Sequence, residues 1–181
     1  MTAKQAESPH PAPPASVPLI DMARQYAAIE SEVLAAISRV CSSGKFVLGP
    51  DCIELEQALA KYCRAKHAVA CASGSDALLL ALMALEVGPG DEVLLPSYTF
   101  FATAAAVARL GARPVFVDID PETFNLNPAL VRRHLTAKSK AILPVHLYGQ
   151  CAEMAPLVDL ARDHDLAIVE HLTHRVAVMY L

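Results

Sequence analysis

Ala72-Ser73-Gly74-Ser75-Asp76-Ala77-Leu78 is the stretch on which the reading of this chain turns. It follows a short apolar run, His67-Ala68-Val69-Ala70-Cys71, and leads into Leu78-Leu79-Leu80-Ala81-Leu82-Met83-Ala84-Leu85. The second run is too long and too rich in Ala and Leu for a strand and predicts a buried helix. The order is strand, small-residue turn, helix. At a helix start the backbone N–H groups lack intrahelical acceptors and the helix dipole adds partial positive charge, so a turn of Ser, Gly and Ser there suits a phosphate. A plain helix cap by Ser75 or Asp76 accounts for the same letters, and the turn alone leaves both readings open.

Downstream, Gly88-Pro89-Gly90-Asp91 breaks the chain, and Glu92-Val93-Leu94-Leu95-Pro96 predicts a buried strand. A polar and aromatic loop follows, Ser97-Tyr98-Thr99-Phe100-Phe101, and then an Ala-rich helix to about Leu110. Further strands are expected at Pro114 to Asp118, Ala141 to Val145 and Leu166 to Glu170, with helices near Pro128 to Leu135 and Met154 to His164. Uniformly apolar strands alternating with helices predict an α/β fold, a mostly parallel sheet with helices on both faces. Ligands of such sheets sit at the carboxyl ends of strands. The loops at Ser73 to Asp76, Ser97 to Phe101, Asp118 to Asp120, His146 to Gln150 and Glu170 to His174 then share one rim.

Upstream, Met22, Tyr26, Ile29, Val33, Ile37 and Val40 recur at helical spacing from Asp21 onward, and Ser42-Ser43-Gly44 ends that helix. After Phe46-Val47-Leu48-Gly49-Pro50, Asp51 is expected to cap a second amphipathic helix through Leu55, Leu59 and Tyr62. Both helices could pack on a neighbour as easily as on the domain. Residues 1–17, with Pro9, Pro11, Pro13 and Pro14 among Ala and Ser, lack the basic start and apolar centre of a signal peptide and read as a disordered lead-in. The domain is expected over 18–181.

The 181 residues suffice for one domain with a substantial core. They are 54% hydrophobic, with a mean hydropathy of +0.35, so the apolar excess belongs to buried elements or to a surface meant for a partner. Pro, Gly and charged residues punctuate every apolar stretch before it reaches membrane-spanning length. A net charge of −4 with scattered basic residues gives no nucleic-acid footprint. Cys41, Cys52, Cys63, Cys71 and Cys151 show no metal-like pairing and read as buried free thiols in a reducing cytoplasm.

Six ordered motifs then carry a resemblance. They are Phe46-Val47-Leu48-Gly49-Pro50, Ser73-Gly74-Ser75-Asp76-Ala77-Leu78, Gly88-Pro89-Gly90-Asp91-Glu92-Val93, Pro96-Ser97-Tyr98-Thr99-Phe100, Phe116-Val117-Asp118-Ile119-Asp120 and Pro144-Val145-His146-Leu147-Tyr148-Gly149-Gln150. From about Val17 to Tyr180 the chain resembles the DegT/DnrJ/EryC1/StrS family of pyridoxal-phosphate-dependent sugar aminotransferases. The resemblance implies an incomplete fold type I large domain. It implies a homodimer that moves an amino group from glutamate or glutamine to a keto-sugar nucleotide. By the same resemblance Gly74 and Ser75 hold the cofactor phosphate, Phe100 stacks on the pyridine ring, and His174 lies near the cofactor. Read alone, Phe100 is a core aromatic and His174 a solvated histidine. His146 and Tyr148 fall on the rim without a catalytic role, and Asp118 and Asp120 read as turn caps.

The sequence departs from the family in two places. The family's aspartate, which pairs with the protonated ring nitrogen, is replaced in Glu170-His171-Leu172-Thr173-His174 by His171. Glu170 is one residue away and points to the other side of its strand. The Schiff-base lysine is expected downstream of Leu181, and Lys45, Lys61, Lys66, Lys138 and Lys140 match no such position. No catalytic residue is therefore nominated. A truncated or frame-shifted reading of a longer gene is expected, and the chain alone is expected to be inactive; the alternatives to the aminotransferase function are a catalytically dead half-domain that binds a full-length relative and a non-functional gene fragment. By the resemblance His67 to Cys71 is the first strand of the sheet, lacking its usual antiparallel neighbour.

Overall fold

A computed structural model describes residues 19–172 and the backbone of 176–180. The chain divides into two compact units between Ala68 and Val69.

In the first unit, Asp21 Oδ1 accepts from Arg24 N–H at 3.0 Å and opens α1 (Met22–Ala27). The single helix expected from Asp21 to Val40 is interrupted at Ala28 and Ile29. Ile29 N–H turns back to Tyr26 O at 2.9 Å, and its φ of −124° leaves the helical region before α2 (Glu30–Ser43) begins. Gly44 ends α2 with φ +66°, donating to Val40 O and Cys41 O. Gly49, rather than Asp51, is the N-cap of α3 (Pro50–Cys63), with Pro50 in the first turn. A Cβ at Gly49 would lie 2.4 Å from Lys45 O, so only glycine permits this approach. Asp51 instead accepts from Arg39 of α2. None of α1, α2 and α3 buries a residue.

The second unit contains α4 (Gly74–Ala84), β1 (Glu92–Pro96), α5 (Phe101–Arg109), β2 (Arg113–Val117) and α6 (Pro128–His134). They are followed by β3 (Ser139–Ile142), β4 (Val145–His146), α7 (Met154–Asp163), β5 (Ala167–Leu172) and β6 (Val176–Tyr180). β1 pairs in parallel with β2 and with β3. β3 and β4 follow one another along one edge of β5, and β6 runs antiparallel on its other edge. The strand expected from Ala141 to Val145 is split at Leu143-Pro144, because proline has no N–H for a ladder. Its carbonyl still accepts from His171 N–H at 2.9 Å.

Alternation along the strands sorts the core into two layers. Val93, Leu95, Ala141, Leu143 and Val169 pack with Leu78 and Leu82 of α4 and Ala106 and Val107 of α5. Leu94, Ile142 and Ile168 pack with Val131 of α6 and Leu157 and Leu160 of α7. Helices thus cover both faces of a mostly parallel sheet, and each fully buried leucine contributes about 1.5–3 kcal/mol.

Three expectations are corrected. His67 to Cys71 is not a strand: the sheet's members among the described residues are β1 to β6, and Val69 is 81% exposed. β6 was not anticipated; its Val, Met and Tyr have strand propensity and lie in register with β5, from Leu172↔Val176 to Ile168↔Tyr180. The thiols are free but not buried, with Cys41, Cys63, Cys71 and Cys151 exposed and Cys52 half-buried. Cys41, Cys52 and Cys63 sit on helices that bury nothing, and Cys71 lies on the run that forms no strand.

Candidate functional site

The turn at Ser73 is a reciprocal helix cap. Ser73 Oγ accepts from Asp76 N–H at 3.1 Å and donates to Asp76 Oδ2 at 2.9 Å, while Ser73 O accepts from Ala77 N–H at 2.9 Å. The cap is therefore Ser73, neither Ser75 nor Asp76. These bonds leave the Gly74 and Ser75 amides without an acceptor among the described residues. A Cβ built on Gly74 would meet nothing within 4 Å among the described residues, so there is room beside the turn at that position. Two outward N–H donors at the positive end of an 11-residue helix suit an anion.

Phe100 is the N-cap residue of α5 and is 68% exposed, so it is no part of the core. Its loop is fixed by Ser97, whose N–H reaches Val117 O at 2.8 Å and whose Oγ donates to Asp118 Oδ1 at 3.1 Å. Thr99 Oγ1 lies 3.0 Å from Thr103 Oγ1, which lies 3.1 Å from His171 Nδ1. Thr103 is wholly buried, and this relay fixes the rotation of the imidazole on the face covered by α4 and α5. Asp120 accepts from the N–H groups of Glu122 and Thr123 at 3.0 and 2.9 Å. Those bonds, Thr123 foremost, hold its carboxyl below the usual carboxylate range.

Glu170 serves the opposite face of β5. Its Oε2 lies 2.6 Å from His146 Nε2, and His146 Nδ1 accepts from Ala152 N–H at 3.0 Å. A backbone N–H can only donate, so the imidazole proton sits on Nε2 and is given to Glu170. Glu170 is thus engaged by His146, on the face of β5 opposite His171.

Sequence reasoning missed Asn125. It is buried and donates from Nδ2 to Gln150 O and Cys151 O at 3.2 and 3.1 Å, while its Oδ1 accepts from Leu147 N–H at 3.3 Å. The loop after β4 is thereby clamped, and Tyr148 OH comes 3.1 Å from Tyr98 OH. The hydrogen bond from Tyr98, with its charge and burial as lesser causes, holds the Tyr148 hydroxyl above the usual phenol range. Phe124 packs against Tyr98 with ring centroids 6.1 Å apart. No spacing marked Asn125, whose neighbours read as an ordinary turn. His174 lies outside the described residues.

Lys138 and Lys140 lie at the amino end of β3, away from the rim; Lys140 Nζ is held by Glu86 O at 2.6 Å and Asp91 Oδ2 at 3.2 Å. Among the described residues no group of three or more His, Cys, Asp or Glu side chains could hold a metal, and no helix is long and apolar enough to cross a membrane.

A model of the DegT/DnrJ/EryC1/StrS aminotransferase family matches residues 27–180. The chain is 47% identical to the pleiotropic regulatory protein of Geobacillus stearothermophilus, over 91% of this chain and 44% of that protein. It is 44% identical to the UDP-2-acetamido-2-deoxy-3-oxo-D-glucuronate aminotransferase of Pseudomonas aeruginosa, over 91% of this chain and 46% of that protein. Among solved structures, S. venezuelae DesV in complex with a ketimine intermediate superposes with a TM-score of 0.84 at 46% identity. That match covers 85% of this chain and 42% of DesV. Bacillus subtilis NtdA with bound cofactor PMP gives a TM-score of 0.82 at 35% identity, over 87% of this chain and 38% of NtdA. The chain spans less than half the length of these relatives. With the match running through the capped turn, the rim and the strands alike, the chain belongs to the DegT/DnrJ/EryC1/StrS aminotransferase family.

Proposed function

We propose that this chain carries the phosphate-holding part of a pyridoxal-phosphate-dependent aminotransferase that moves an amino group from glutamate or glutamine to a keto-sugar nucleotide. The observation that carries the reading is the capped turn at Ser73, which leaves the Gly74 and Ser75 amides without an acceptor among the described residues. When bound, pyridoxal phosphate supplies the electron sink for amino transfer. Gly74 and Ser75 hold its phosphate through their N–H groups and the Ser75 hydroxyl. Phe100 offers its exposed ring to the pyridine, and His174 lies nearby by the family resemblance. By the family resemblance His171, which Thr103 bonds at Nδ1, stands where an acid would pair with the ring nitrogen, and it brings no negative charge to hold a proton there. No lysine of this chain is expected to attach the cofactor. The exposed apolar residues of α2 and α3, such as Leu34 and Ile37, each 53% exposed, favour a homodimer or association with a full-length relative. Free thiols fit a cytoplasmic protein.

Equilibrium dialysis of the purified chain against pyridoxal phosphate, followed by amide spectra of Gly74 and Ser75, tests the reading. Retention that requires the phosphate, with both amides shifting and Gly74→Asp abolishing both effects, is the expected result. Equal retention of pyridoxal lacking the phosphate, or no retention, refutes it. Borohydride reduction of the same sample shows whether any lysine of the chain attaches the cofactor. If none does and the cofactor is lost, the reading as a binding half-domain gains, a reading favoured by His171 standing where the family has an acid.

A further inference from the structure

We propose that Tyr98, Phe124 and Tyr148 form the subsite for the sugar ring of the substrate, an inference that rests on the aminotransferase reading above. Tyr98 lies two residues before Phe100 in the loop after β1, Phe124 lies in the loop after β2, and Tyr148 follows β4. Three strand ends therefore deliver three aromatic rings to one place. Tyr98 touches both others, ring to ring with Phe124 and hydroxyl to hydroxyl with Tyr148. All three remain open to solvent, at 48%, 47% and 75% exposure.

The backbone shows that this arrangement is imposed rather than relaxed. Phe124 has φ +59° and Tyr148 φ +54°, a region where a bulky side chain costs conformational energy. Such strain persists only where the surroundings over-determine it. Here they do. Asn125, next to Phe124, bonds the backbone on both sides of Tyr148 at Leu147, Gln150 and Cys151, and His146 ties Ala152. Phe124 N–H is fixed on Asp120 O at 2.8 Å. One buried amide thus holds both strained aromatics against Tyr98.

The chemistry selects the ligand. An aromatic face stacks on the apolar C–H face of a pyranose, and two phenol hydroxyls, each donor and acceptor, can exchange their mutual bond for bonds to sugar hydroxyls. The charged groups in the same loops are acidic: Asp118 on Ser97, and Asp120, whose carboxyl stays ionised. They disfavour the diphosphate of a sugar nucleotide at this spot and leave the neutral ring as its occupant.

Ring spectra of the tyrosines in the full chain, assigned with Tyr98→Phe and Tyr148→Phe, test the proposal. The probes are UDP-N-acetylglucosamine and dTDP-glucose, each against its parent nucleoside diphosphate. At least one sugar nucleotide is expected to shift the Tyr98 and Tyr148 rings where its parent does not, with Tyr148→Phe weakening that probe by about two- to tenfold. Tyr148→Gly, which the left-handed backbone accepts without strain, should keep the fold and lose most of the binding. No shift with either probe up to millimolar concentration, or the same shift with the parent nucleotide, overturns the proposal. Pyridoxal phosphate titrated into the same samples reads the Gly74 and Ser75 amides separately. Cofactor binding without tyrosine shifts defeats this subsite alone, whereas loss of cofactor binding defeats the aminotransferase reading.

Discussion

Replacing Asn125 by alanine removes the clamp on the loop after β4. Three hydrogen bonds go. Gln150 and Cys151 are exposed, so water replaces the amide at their carbonyls, and each loss costs about 0.5–1.5 kcal/mol or less. Leu147 is only 8% exposed, and its N–H is left with no acceptor from Asn125, at about 1–3 kcal/mol. The expected total is at most about 2–6 kcal/mol, a large share of a small domain's stability. Urea unfolding followed by circular dichroism gives the free energy. Amide exchange at Leu147 and at the residues up to Ala152 gives the location. Asn125→Asp keeps the acceptor for Leu147 but sets a carboxylate against two carbonyl oxygens, so it should not rescue the loss. A change below about 0.5 kcal/mol, within the range of ordinary surface substitutions, or unaltered exchange across the loop, refutes the clamp.

Ser73→Ala deletes the cap of α4 and should cost about 1 kcal/mol in urea unfolding while weakening retention of pyridoxal phosphate. Glu170→Ala removes the acceptor of His146 Nε2–H and should cost about 1–3 kcal/mol; Glu170→Gln, which keeps an acceptor oxygen, should recover most of it in the same assay. Leu94→Ala opens the layer against α6 and α7 and should cost about 2–5 kcal/mol, read from the unfolding midpoint at unchanged slope. The Asp120 carboxyl is depressed in the folded state, so its contribution is present above the unfolded value of about 3.9 and is lost as pH falls through the folded one. Acid titration of stability should therefore be flatter in Asp120→Asn, and an unchanged profile would count against those turn bonds.

The parallel sheet was legible because burial on both faces leaves uninterrupted apolar runs: the strand expected at Glu92 to Pro96 is β1, residue for residue. The loops after β1, β2 and β4 follow from that, since parallel strands put their following loops at one end; the turn at Ser73 was assigned to the rim through a strand that does not form. Caps were less legible. Ser73, Ser75 and Asp76 all suit a helix start, and only the extended backbone of Ser73, φ −159°, decides among them. The run at His67 to Cys71 has strand composition, but a strand is defined by its neighbour, which composition does not contain. Asn125 escaped notice for a similar reason: its partners lie 22 to 26 residues away, at Leu147, Gln150 and Cys151. Separation at that distance leaves no local pattern. Glu170 and His171 were separable in advance, because alternation alone sends neighbours on a strand to opposite faces.

The antiparallel pairing of β6 with β5 bears on the order in which the sheet assembles. Its paired residues are close in sequence, from Leu172↔Val176 outward to Ile168↔Tyr180. Joining Glu92 to Ser139, or Glu92 to Arg113, requires closing a much longer loop. Hairpins of this kind form in about 1–10 μs, whereas distant parallel pairings are slow. The β5–β6 pair is therefore the early seed, offering the free edge of β5 as a template on which β3 and β4 register. By the same measure the pairing of β1 with β2, Glu92↔Arg113, and of β3 with β5, Ala141↔Ala167, close shorter loops than that of β1 with β3, Glu92↔Ser139, so the β1–β3 seam is expected to join last.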